Sequence, residues 1–242
     1  MERERYLDLL EADGLLLHSA AAADLSAPVP PCPGWTVADA VRHTTEVYEH
    51  KVACIGLAGE KPHEWPPAWS PERDPLEWFA DARERLLTVL RETDPAAPSW
   101  TWWPPDQSAG FWVRRMAQET AVHRVDVQSA FGSADPVDDE LAVDGIDEVL
   151  TMMLAGDWSD EPQPGSTGEV SVAAGGRSWR CVLTPEYVSL EESRDPAKAT
   201  VSGDASAVLL WLWGRAPDGA VKLSGDEGVA RRFRQRLAIA TR

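Results

Sequence analysis

The feature that most limits what this chain can fold into is a change of hydrophobic period about two thirds of the way along it. Up to roughly residue 155, apolar residues recur at three- and four-residue steps in segments long enough for helices. After the Pro/Gly-rich stretch Asp160-Glu161-Pro162-Gln163-Pro164-Gly165 the pattern becomes short strand-like runs, separated by glycine pairs and prolines. That order predicts an α+β protein: a helical bundle over residues 1–160, then a small α+β domain over 166–242.

Punctuation places the helices. Residues 2–24 carry Tyr6, Leu10, Leu17 and Ala20 on one face of a first helix. Four prolines and a glycine between Ser26 and Gly34 exclude helix there. Thr36 and Asp39 form a capping-box pattern that opens a second helix, carrying His43 and His50 and ending near Leu57. A loop rich in Pro and Trp follows (Pro62, Trp65, Pro66, Pro67, Trp69, Pro71), and Asp74-Pro75 starts a third helix. A second tryptophan loop, with Trp100, Trp102 and Trp103, leads to a fourth helix that Gly132 ends, and a fifth spans about 139–155. In the second domain, strands are expected at 169–173, 178–183, 187–190, 199–202 and 221–223, with helices at 205–213 and 227–240.

Composition narrows the function. The formal net charge of −17 argues against nucleic acid or an anionic membrane as partner. The N-terminus is charged and no long apolar run follows, so neither a signal peptide nor a membrane span is expected, and cytoplasm is the default location. Three widely spaced cysteines, Cys32, Cys54 and Cys181, fit neither a disulfide framework nor a cysteine zinc site. Cys32, between two prolines, reads as a small buried side chain in a rigid turn. There is no glycine-rich phosphate loop, GxSxG elbow or HExxH.

The chemistry concentrates on the fourth helix. Glu119 and His123 are four residues apart and share a face, as do Arg115 and Asp126. A carboxylate and an imidazole one turn apart are half of a metal site, and His43 on the second helix is the best candidate for the rest. Two His and one carboxylate leave an open coordination position, the arrangement of catalytic zinc. The plainer reading, a histidine bonded to a carboxylate, stays open on these residues alone. Asp126 is placed to orient a ligand or a substrate. Arg115 could grip a substrate carboxylate or pair with an acidic neighbour. His50 reads as a solvated polar group at the end of its helix, and His18 and His63 as surface groups.

Pro31-Cys32-Pro33-Gly34-Trp35-Thr36-Val37-Ala38-Asp39 followed by His43 resembles the opening signature of the maleylpyruvate isomerase family of mycothiol-dependent enzymes. Arg115 to Asp126 is similar to that family's second metal motif. Val201-Ser202-Gly203-Asp204 and Leu209 to Ala216 resemble its C-terminal domain. The resemblance implies a DinB-like four-helix bundle holding zinc, or another divalent metal, on His43, Glu119 and His123. It implies mycothiol as thiol cosubstrate and a small electrophile as substrate, in S-transfer or cis–trans isomerisation. It also implies that Arg215 binds an anionic substrate. The rival expectations are a zinc hydrolase using water and a non-catalytic metal- or ligand-binding protein.

Overall fold

The computed structural model describes residues 1–63, 73–156, 167–191 and 196–241. Trp65, Pro66, Pro67, Trp69 and Pro71, and the linker expected at 160–165, lie outside the described residues. The chain divides into two compact units, Met1–Asp135 and Pro136–Arg242.

In the first unit the described residues form four helices, α1 (Arg3–Ala21), α2 (Val37–Gly56), α3 (Pro75–Glu92) and α4 (Ala109–Ser129). α1 packs on α4 and α2 on α3, with further contacts of α1 with α3 and of α2 with α4, so the four close into a bundle. Of the residues spaced at three and four along α1, Tyr6, Leu10 and Leu17 are buried and Ala20 is half-buried; Leu7 of α1, Tyr48 of α2, and Phe79, Leu86 and Leu90 of α3 are also buried. α4 contributes Trp112, Met116 and Ala117 and is buried around most of its circumference. A buried ion pair ties α1 to α4: Arg124 Nε donates to Asp13 Oδ1 at 3.0 Å. At the start of α3, Asp74 Oδ1 accepts from the amides of Leu76 and Glu77, and Pro75 occupies the first helical position, where a missing N–H costs nothing.

The second unit begins with α5 (Asp139–Glu148), which widens into a π-helical turn over Val149–Leu154, where a single helix was expected to continue. A five-stranded sheet follows: β1 (Gly168–Ala174), β2 (Arg177–Leu183), β3 (Val188–Glu191), β4 (Ala199–Ser202) and β5 (Lys222–Gly225), in the order β3-β2-β1-β4-β5. β1 and β4 run parallel and the other neighbours antiparallel. α6 (Ala205–Leu212) and α7 (Glu227–Ala240) complete the unit, with α7 packed on β1 and β4. Gly175 and Gly176 take φ of 55° and 75°, the pair of positive values that a two-residue turn between β1 and β2 requires.

The unit boundary corrects the expected one. The helical period of residues 139–155 groups them with the bundle, yet they belong with the sheet. Leu141, Ala142 and Ile146 of α5 are fully buried, and α5 packs on α6. The Val137 amide donates to Ser206 Oγ at 2.8 Å, and Trp179 Nε1 to Asp147 Oδ1 at 3.0 Å. Periodicity reports the type of an element and its buried face, not which neighbour covers it.

Candidate metal centre

Two helices supply the site. α2 starts where its capping box fixes it: the Asp39 amide donates to Thr36 Oγ1 (3.3 Å) and the Thr36 amide to Asp39 Oδ2 (2.9 Å). His43 lies two turns along. α4 presents Arg115, Glu119, His123 and Asp126 along one stripe. His43 Nε2 lies 3.3 Å and His123 Nε2 3.2 Å from the same oxygen, Glu119 Oε1. One candidate ligand atom from each of His43, Glu119 and His123 falls within 4.8 Å of the others, a separation that one cation can span.

The residues around these three hold them in place. His123 Nδ1 is 3.0 Å from Asp126 Oδ2, and Asp126 is fully buried. A hydrogen bond at Nδ1 leaves Nε2 to face Glu119, as histidine ligands in metal sites commonly require. Arg115 pairs with Glu119 Oε2, one turn away, so the sequence alternative of an acidic neighbour is the one observed. The Trp35 ring stacks on His123 (centroids 6.2 Å apart, planes 17°) and lies 5.2 Å from His43. The role of Trp35 as a wall on both histidines was missed in the sequence. Its signal was its place immediately before the cap of the helix that carries His43.

Burial and charge oppose each other here. Burial favours the neutral acid for Glu119, but Arg115, then His123 and the bond from His43, hold its carboxyl well below the usual carboxylate range. Burial lowers the pKa of His123, but Glu119 and Asp126 outweigh it and push it up to about 9. Without a metal, the centre is a carboxylate holding a protonated histidine.

His50 does not behave as expected. It is 7% exposed and not a solvated end. Lys51 Nζ donates to its Nδ1 at 2.9 Å, Cys54 Sγ lies 3.6 Å from the same atom, and the Trp100 ring stands edge-on at 6.1 Å. The tryptophan loop before α4 covers this end of α2, which spacing along α2 alone does not reveal. Burial and the neighbouring Lys51 lower the His50 pKa to about 4, and burial lowers that of Lys51 to about 8. His63 is exposed, as expected, whereas His18 is half-buried and stacks on Phe79. Cys32 is half-buried, with Sγ 3.5 Å from Asp126 Oδ2. Arg215 lies in the second unit, where it donates to the Trp213 carbonyl at 2.7 Å.

Both units are similar to known proteins. Residues 9–128 match the mycothiol maleylpyruvate isomerase N-terminal domain, and residues 140–232 match the C-terminal domain of the same family. A crystal structure of a mycothiol-dependent maleylpyruvate isomerase superposes with a TM-score of 0.64 at 16% identity, covering 93% of this chain and 95% of that one. A histidine-to-alanine mutant of such an isomerase gives 0.63 at the same identity and coverage. No curated protein matches at a significant level. With both domains matched in order, and a four-helix bundle followed by a small α+β unit, the chain belongs to the maleylpyruvate isomerase family of mycothiol-dependent enzymes.

Proposed function

We propose that this protein is a metal-dependent enzyme that uses mycothiol as a nucleophile toward a small electrophile, in cis–trans isomerisation or S-transfer. The observation that carries this reading is the convergence of His43 Nε2 and His123 Nε2 on one oxygen of Glu119. Two imidazoles and one carboxylate fit zinc with a position left open. A divalent cation held by His43, Glu119 and His123 supplies the positive charge that favours a thiolate over a thiol near neutral pH.

The chain's own residues have separate tasks. Asp126 keeps the Nδ1 proton of His123, so that Nε2 is the donor atom. Arg115 keeps Glu119 ionised. Trp35 walls the histidines on one side, while His43 remains 32% exposed, so that solvent and small molecules reach the site. A thiolate adds to an electrophilic double bond. Rotation about the resulting single bond and expulsion of the thiolate give isomerisation, and uptake of a proton from solvent by the carbanion left by the addition, with the sulfur retained, gives transfer. On the family resemblance, Arg215 binds an anionic group of the substrate. Arg215→Ala is therefore expected to raise KM for anionic electrophiles and leave metal content unchanged.

Metal analysis of wild type, His43→Ala and His123→Ala, with turnover assays with and without mycothiol, tests the reading. One metal per wild-type chain, its loss in both variants and strict thiol dependence are expected. Equal metal in all three proteins would remove the site. Hydrolysis of electrophilic esters without thiol would replace the thiol reading with that of a hydrolase.

A further inference from the structure

The loop between α1 and α2 brings a second group to the centre. It is tightly bonded to itself: the Cys32 amide donates to the Val29 carbonyl (3.1 Å), Trp35 to Cys32 (2.9 Å) and Val29 to Trp35 (2.9 Å). A bridge between Pro28 and Thr36 closes its ends, next to the capped start of α2. From this frame Cys32 Sγ comes within 3.5 Å of Asp126 Oδ2, the oxygen that also faces His123 Nδ1 at 3.0 Å.

Asp126 is fully buried, and a buried carboxylate is costly unless its lone pairs are met by donors. A carboxylate oxygen facing sulfur accepts from a thiol and repels a thiolate, so this geometry suits a hydrogen-bond donor and not a nucleophile. The same loop places Trp35 on the ring face of His123. His123 is thus restrained on its face by Trp35 and on its Nδ1 edge by Asp126, with Cys32 behind that carboxylate.

We propose that Cys32 is a positioning residue: its thiol donates to Asp126 Oδ2 and holds that carboxylate where it keeps His123 Nε2 turned toward His43 and Glu119. The inference rests on the metal reading of those three residues. It gives Cys32 a task that involves neither a disulfide nor turnover of its own sulfur. Outer partners of metal-ligating histidines are worth about 10- to 100-fold in affinity. A weak sulfur donor acting one step further out belongs at or below the lower end of that range.

The test compares wild type, Cys32→Ala and Cys32→Ser, with cobalt as the metal. Cobalt affinity is read by competition with a chelator, and the melting temperature of each metal-free protein is recorded. Cys32→Ala is expected to bind cobalt roughly 10-fold more weakly, with Cys32→Ser recovering part of the loss because its hydroxyl donates to the same oxygen. A separate readout needs no metal. The infrared S–H stretch of Cys32, isolated as the difference between wild type and Cys32→Ser, should move to higher frequency in an Asp126→Asn background. Equal cobalt affinity in wild type and Cys32→Ala overturns the proposal alone, as does an S–H band indifferent to Asp126→Asn. An affinity loss that tracks melting temperature with no recovery in Cys32→Ser overturns it in favour of a packing role. A sulfur-to-cobalt charge-transfer band without added thiol overturns it too, because Cys32 would then be a ligand. A wild type that takes up no cobalt overturns the metal reading and this proposal with it.

Discussion

At the scale of single residues, the site depends on one carboxylate bearing two imidazoles. Glu119 is stabilised as an anion by Arg115 and His123, and that anion raises His123 to about 9, above its ordinary 6.5. The sign of the pH dependence follows. In the metal-free protein, the stabilisation from protonated His123 is complete below about pH 6.5 and is lost as pH rises through about 9. A metal must displace that proton, so its affinity rises with pH until about 9 and its uptake near neutrality releases about one proton. Titration calorimetry in two buffers of different ionisation enthalpy reads the proton count. Uptake with no proton release would mean that His123 is neutral before the metal arrives. Glu119, His123 and Asp126 were legible in the sequence because helical spacing puts them on one stripe. Spacing does not place Trp35 and Cys32 at the site, because the loop that delivers them has no periodicity to read.

Among the elements, α4 is the one on which the first unit depends. It carries Glu119 and His123 on one face and, with Arg124, joins α1 through Asp13. Arg124 is 1% exposed and Asp13 is 7% exposed, and Arg124 Nη1 also donates to Gln128 Oε1 at 2.8 Å and to the Asp135 carbonyl. Removing one partner of a buried pair leaves the other charge uncompensated, so Asp13→Ala is expected to cost about 3–5 kcal/mol. Chemical denaturation checks this, and a loss under about 1 kcal/mol, the range of exposed pairs, would contradict it. The capping box at Thr36 and the proline at the head of α3 were readable because caps are local chemistry. The widening of α5 into a π-helical turn was not.

For the whole molecule, the three candidate ligands all lie within Met1–Asp135. Metal should therefore increase amide exchange protection first in α2 and α4, with the β1–β5 sheet responding least. At a free concentration about 100-fold over the dissociation constant it should stabilise the folded state by about 2.7 kcal/mol. Hydrogen exchange with and without metal measures both, and equal protection of the sheet and of α4 would count against this placement. No helix among the described residues is long and apolar enough to cross a membrane. The sequence by itself determined the element order, because hydrophobic period, caps and turn glycines act over a few residues: the strand at Ala199–Ser202 and the helix at Glu227–Ala240 lie where they were expected. Tertiary structure decided what each element packs against. It gave α5 to the sheet unit, buried His50 beneath Trp100, and set Cys32 against Asp126, 94 residues away in the chain. Those outcomes depend on which surfaces bury one another, and no local pattern encodes that pairing.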